Sequence, residues 1–148
     1  KWLVKSGIQN NNKNNLSEYG AFNAWYDTKT KKYSYMYSEI TGYLITSMVF
    51  HYHITKNKLL LTSAKKAADW LINNAQHDNG GFKCLFLVNK NLKFGNKENY
   101  IYSFDNGVII NGLINLYNIT KIKKYLYAAE KSANFLISCT CACIQVGA

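Results

Sequence analysis

One segment of this chain is written twice. Residues 37–72 align without a gap on residues 102–137 at a constant offset of 65, with about 15 of the 36 paired positions identical. The matches include Tyr37/Tyr102, Ser38/Ser103, Gly42/Gly107, Tyr52/Tyr117, Ala64/Ala129 and Leu71/Leu136. A gapless repeat of this length means one supersecondary unit used more than once, each copy leaving a face that only a neighbouring copy covers.

The unit reads as two helices. The first, expected over 39–54 and again over 104–119, is apolar on almost every side (Ile40, Tyr43, Leu44, Ile45, Met48, Val49, Phe50), the pattern of a helix buried all round. The second, expected over 59–75 and again over 124–138, carries Leu60, Ala64, Ala67 and Leu71 at the spacing of one helical face, with Lys65, Lys66, Asp69 and Asn73 opposite. It is the half-wet, outer member. The polar turns Thr55-Lys56-Asn57-Lys58 and Thr120-Lys121-Ile122-Lys123 close each pair as an antiparallel hairpin.

The start of the chain reads as the tail of a third copy. Trp2-Leu3-Val4 lines up with Trp70-Leu71-Ile72, Gln9 with Gln76, and Gly20-Ala21-Phe22 with Gly80-Gly81-Phe82. Between hairpins run loops over 10–37 and 77–102, with aromatic residues suited to short strands. Inner helices wrapped by outer ones, with loops gathered on one rim, predict an all-α fold of the α/α-toroid type. Two hairpins and a remnant are expected to be part of a ring of about six. The expected division is a partial toroid domain over 1–138 and an atypical tail over 139–148, with the N-terminus looking truncated.

The net charge of +10 invites a nucleic-acid reading, but all 18 basic residues are lysine and they spread along the whole chain. Arginine, the residue suited to bidentate phosphate and guanine recognition, is missing, so no nucleic-acid partner is expected. No apolar run is long enough to span a bilayer, no targeting signal is visible, and the compartment stays unassigned. Cys84 reads as a small apolar filler. Cys139, Cys141 and Cys143 alternate without a C-x-x-C pair or a nearby histidine, so neither a metal nor a cofactor is expected.

Acidic residues are scarce, 8 in all, and two of them open the buried helices: Glu39 and Asp105. One account is structural, with Ser38 and Ser103 as N-caps and the acids favouring the helix dipole. The other places both carboxylates on the rim of a central cavity, as general acid and base or as hydroxyl-binding groups. The loop Gly20-Ala21-Phe22-Asn23-Ala24-Trp25-Tyr26-Asp27 combines an aromatic pair with a carboxylate. A flat apolar face and an adjacent acceptor are what a sugar ring needs; packing under the loop is the alternative. Tyr37 and Tyr102 extend the aromatic approach to both inner helices, and His77 with Asp78 stands in a rim loop. The expected catalytic residues are Glu39 and Asp105. Trp25, Tyr26, Asp27, Tyr37, His77, Asp78 and Tyr102 are the expected substrate-binding ones.

The run Ala68-Asp69-Trp70-Leu71-Ile72, Gln76 and Gly80-Gly81-Phe82, followed by Ser103-Phe104-Asp105-Asn106-Gly107, Gly112-Leu113 and Leu116-Tyr117, resembles the six-hairpin glycosidase superfamily. The resemblance implies a glycan substrate bound at the rim and a parent protein that hydrolyses, lyses or epimerises glycans. It also implies that the remaining hairpins complete the toroid, so the isolated chain is expected to be inactive. Trp70-Leu71, Gln76 and Gly80-Gly81-Phe82 also look like the Gln/Trp repeats of terpenoid cyclases and prenyltransferase toroids. Against that likeness, Phe82 stands where tryptophan is expected and no Asp-x-Asp-Asp motif occurs. A non-catalytic helical-repeat scaffold is the third reading.

Overall fold

The computed structural model of the chain describes residues 5–87 and 100–144. Its elements are β1 (Tyr26–Asp27), β2 (Lys32–Tyr33), β3 (Met36–Tyr37), α1 (Ser38–Thr55), α2 (Lys58–Trp70, continued by a π-helical turn Leu71–Ala75), β4 (Leu85–Phe86), α3 (Ser103–Thr120) and α4 (Lys123–Ile144). Two helical hairpins, α1–α2 and α3–α4, stand side by side in the arrangement of an α/α toroid. The expected remnant Trp2-Leu3-Val4 lies outside the described residues, as do 88–99 and the end of the tail, 145–148. Helix α4 runs through residue 138 to Ile144.

Helices α1 and α3 are both 18 residues long and start and stop at positions 65 apart, as the repeat demands. Each ends on a lysine in the left-handed region, Lys56 (φ 54°) and Lys121 (φ 57°), whose N–H bonds the carbonyl of Tyr52 or Tyr117. The cation at the helix C-terminus suits the dipole there. Asn57 then caps α2 by accepting from the Leu59 N–H at 3.0 Å.

Ser38 and Ser103 do not cap. Tyr37 and Tyr102 hold the N-cap positions, without side-chain cap bonds, and the serines are the first helical residues. The reason is that Tyr37 is still paired with Leu85 across β3–β4, while the Ser38 N–H already donates to the Cys84 carbonyl at 2.9 Å. Instead, Thr41 Oγ1 donates back to the Tyr37 carbonyl at 2.8 Å and Asn106 Nδ2 to the Tyr102 carbonyl at 2.8 Å.

One connection occurs twice, ahead of each hairpin. Gln9 Nε2 donates to the Gly20 carbonyl at 3.0 Å and the Ser63 carbonyl at 2.9 Å. Gln76 Nε2 donates to the Gly80 carbonyl at 3.0 Å and the Ala128 carbonyl at 2.9 Å. Each glutamine also forms a β-bridge to the phenylalanine of its loop, Phe22 or Phe82. Those phenylalanines are fully buried, and their N–H groups donate to Thr41 Oγ1 (3.3 Å) and Asn106 Oδ1 (2.7 Å). Beside them Gly20 (φ 99°) and Gly80 (φ 98°) press onto the outer helices, where an added Cβ would meet the Lys66 or Lys131 carbonyl oxygen at 2.3 or 2.4 Å. The π turn aims Gln76: its N–H reaches the Leu71 carbonyl at 2.8 Å, and the widened last turn lets the chain leave α2 sideways.

The core lies between the four helices. Ile45, Met48, Ile109, Leu113 and Leu116 of the inner helices meet Trp70, Leu71, Tyr125 and the alanines of the outer ones. Helices α1 and α3 touch at glycine, where a Cβ on Gly112 would stand 2.8 Å from the Gly42 carbonyl. The expectation that the inner helices are buried all round is corrected here. Tyr43, Phe50, Ile54 and Phe104 are exposed, because two hairpins cover only part of an all-apolar helix. Among the described residues no helix is long and apolar enough to cross a membrane.

Gln76→Ala leaves the Gly80 and Ala128 carbonyls without the side-chain donor, so urea unfolding should show a loss of about 2–3 kcal/mol. Within α3 two glycines separate packing from propensity. Gly112→Ala overpacks against α1 and should destabilise by about 1–3 kcal/mol. Gly107, with nothing within 4 Å of its would-be Cβ, should gain about 0.5–1 kcal/mol as alanine.

Candidate active site

The repeat superposes Glu39 on Phe104 and Ile40 on Asp105, so the two acids stand one position out of register. One residue is about 100° around a helix. Identical positions on adjacent helices of a ring would aim the same way; the shift lets a carboxylate on α1 and one on α3 act on each other. They do so, since the Glu39 charge raises the pKa of Asp105.

Asp105 is only 3% exposed, and its Oδ2 has no hydrogen-bond partner. Burial first, and the Glu39 charge second, push its carboxyl up to about 6, against a hydrogen bond from Cys84 that favours the anion. The helix N-terminus also favours the anion, and desolvation outweighs it. Glu39 is half-buried. Burial, with the Asp105 charge next and then Cys84 and Glu39, drives the Tyr37 hydroxyl far above the ordinary tyrosine range. Burial likewise pushes the Cys84 thiol up to about 11. It is a thiol, not a thiolate, at any ordinary pH. Ser38 Oγ, fully buried on the same helix start, also has no partner.

Backbone pairing builds this cluster. The Cys84 carbonyl accepts from Ser38 at the start of α1, and the Cys84 N–H donates to the Tyr100 carbonyl at 2.8 Å on the approach to α3. Cys84 therefore ties together the two helix starts that carry the acids. The sequence reading, which took it as an apolar filler, missed this, and only the β3–β4 register reveals it.

An aromatic row leads toward the acids. Trp25 (48% exposed) meets Tyr35 edge-on at 5.0 Å, and Tyr35 meets Tyr37 at 6.1 Å. Across the site, Tyr100 and Tyr102 stand edge-on at 6.0 Å, and both are exposed. Tyr26 leans on Tyr33 at 4.9 Å across β1–β2. Asp27 is engaged by its own turn: Oδ1 accepts from Lys29 N at 2.8 Å, and Oδ2 accepts from Thr30 Oγ1 at 2.7 Å. These bonds, the Thr30 side chain's first, hold its carboxyl below the ordinary range. His77 and Asp78 are exposed in the turn that docks Gly80 on α4, and His77 Nδ1 accepts from Asn79 N at 3.4 Å. Tyr37, Glu39 and Asp105 thus come together, with Trp25 and Tyr102 on the approaches. Asp27, His77 and Asp78 serve turns.

A solved polysaccharide lyase shares this fold, with a TM-score of 0.66 at 18% identity over 92% of this chain. The match takes in 21% of the lyase, so the chain spans about a fifth of that protein's length, and at this identity the likeness speaks for the fold alone. No curated protein matches the chain. The model of glycosyl hydrolase family 76 matches residues 22–143, which hold both hairpins, the aromatic approach and both rim carboxylates, and the chain belongs to that family.

Proposed function

We propose that these hairpins carry part of a glycan-binding cleft in which Asp105 and Glu39 hydrolyse a glycosidic bond. Asp105 is the general acid. Glu39, facing solvent more, is the carboxylate that activates water or attacks the sugar. The observation that carries this reading is a buried carboxyl with a raised pKa beside a second, half-buried carboxylate. That environment raises the proton affinity of one acid while leaving its neighbour nearer solvent, the asymmetry that divides the labour in glycoside hydrolysis. A dipole-serving acid in a first helical turn would be exposed, with its pKa at or below the ordinary range; Asp105 is buried and its pKa is raised. The family supports the same chemistry.

The row Trp25–Tyr35–Tyr37 on one side and Tyr100–Tyr102 on the other supplies flat faces for sugar rings. Further hairpins of the same kind would close the cleft on the flank of α3 where Gly107 lies open and Phe104 is bare. Gly42, the counterpart of Gly107, is where α1 receives Ile109 of the next inner helix.

In the full-length protein, Asp105→Asn and Glu39→Gln should each lower kcat on oligosaccharides by about 100-fold or more while circular dichroism stays unchanged. Full activity in either variant would sink the assignment. Because Asp105 must carry its proton to act, the kcat/KM profile should fall as pH rises through about 6. Stability has the same sign. A carboxyl with a raised folded-state pKa stabilises fully below the unfolded value and loses that contribution as pH rises through the folded one. Unfolding free energy should therefore drop by about 3 kcal/mol between pH 4 and pH 7, and Asp105→Asn should flatten the drop. Oligosaccharides should quench tryptophan emission, and Trp25→Ala should sharply reduce the quenching, since Trp25 is half-exposed and Trp70 is buried.

A further inference from the structure

We propose that the groove between α1 and α3, toward their C-terminal ends, binds a neutral sugar unit and carries the glycan site down the inner helices from the acid rim. The groove has a volume of about 310 Å3 and is lined by Thr46, Phe50 and His53 on α1 and by Asn115, Asn118 and Ile119 on α3. That is the size of a small-ligand pocket. Thr46, Phe50 and His53 follow Glu39 and Tyr43 at the three-to-four spacing of one helical face. The groove therefore lies in line with Glu39. At 1.5 Å per residue it begins about 10 Å from that acid and ends about 21 Å from it. Tyr43, 47% exposed, stands in the interval.

The two walls differ in chemistry although they belong to copies of one helix. Across the 65-residue offset Phe50 corresponds to Asn115 and His53 to Asn118, so rings on α1 stand against amides on α3. A face made only to pack on another helix has no use for those amides. Phe50 is 59% exposed and offers its ring to the apolar side of a pyranose. Thr46 Oγ1 donates to the Gly42 carbonyl at 3.4 Å, and Asn115 Nδ2 donates to Asn111 Oδ1 at 3.3 Å. The Thr46 oxygen and Asn115 Oδ1 remain to accept from sugar hydroxyls. Among the described residues no lysine or carboxylate lines the groove, in a chain that carries 18 lysines. A phosphate or uronate group would find no counter-ion there, which selects a neutral sugar. The ligand class rests on the glycan reading of the rim; the site is separate from the acids.

Neutral methyl hexopyranosides (gluco, galacto and manno), titrated into the full-length protein with carbon-13-labelled histidine, report on the groove through the ring signal that disappears in His53→Gln. That signal should shift with added sugar and saturate. Phe50→Ala should weaken the binding about tenfold, and Asn118→Ala by less, while quenching of Trp25 by oligosaccharides persists in both. Both side chains are exposed, and circular dichroism checks that the variants are folded. A His53 signal that no hexoside moves, as when side chains of other hairpins fill the groove, overturns the proposal and leaves the rim reading standing if Trp25 is still quenched. A signal that titrates in Phe50→Ala as it does in the wild type overturns it as well. If hexosides leave His53 unmoved and oligosaccharides leave Trp25 unquenched, the glycan reading falls with it.

Discussion

The node that ties each loop to the hairpin after it holds this architecture together. An inner helix that is apolar on every side has no preferred neighbour, so hydrophobic burial alone does not set which outer helix covers it or at what height. Polar groups set the height instead. The glutamine ahead of each loop reaches the loop glycine and a carbonyl in the outer helix that follows, Ser63 or Ala128. The loop phenylalanine drops into the core with its N–H on Thr41 or Asn106 of the next inner helix. One short segment is thereby registered against both members of the following hairpin. A glutamine NH2 group that donates twice is directional where packing is not, which is why the same geometry appears ahead of both hairpins.

The site follows from that registration. With α1 and α3 held at equal height, the ends that carry Glu39 and Asp105 share one rim, and the strand pair β3–β4 crosses between them. The Cys84 peptide bonded to Ser38 is the crossing point. Had the loops floated, Asp105 would be another solvated acid in a first helical turn. Its burial, and with it a carboxyl that holds a proton near pH 6, is produced by the loop laid over it. The outer helices are joined further from the rim, where Asp69 accepts from the Tyr125 hydroxyl at 3.1 Å and pairs with Lys124 at 2.7 Å. The Lys124 pair is half-exposed and adds little; the buried aromatic under it does the packing.

The helices were legible because two signals agreed: the three-to-four spacing of Leu60, Ala64, Ala67 and Leu71, and a second copy in phase 65 residues on. The place of the turns, 55–58 and 120–123, was legible for the same reason. The lack of a cap at Ser38 was not, because a residue that looks like an N-cap loses that position when the preceding tyrosine is held in a strand, and two-residue strands leave no periodic trace. The π turn was hidden too, since nothing in Leu71-Ile72-Asn73-Asn74-Ala75 marks a widened turn apart from the glutamine it serves. Glu39 and Asp105 were readable as rim acids, whereas the loss of Asp27 to its own turn could be seen only from where Thr30 lies. Cys84 was invisible as a site residue because its counterpart by loop alignment is Ala24, an apolar filler.

Agreement and difference between the two copies carry different information. Positions that agree, the Gln-to-Gly segment and the Gly-x-Phe turn among them, build handovers and have no direct bearing on substrate. That explains why part of this pattern also looks like the Gln/Trp repeats of terpenoid toroids. Chemistry gathers where the copies part: Glu39 against Phe104, Ile40 against Asp105, Ala24 against Cys84. A ring of identical hairpins would present the same side chain around its rim and could not set a buried carboxyl beside a half-buried one. Breaking the repeat at one position on α1, one on α3 and one in the loop between them creates that asymmetry without disturbing a single handover bond. The fold is carried by what the copies share, and the acid pair by where they differ.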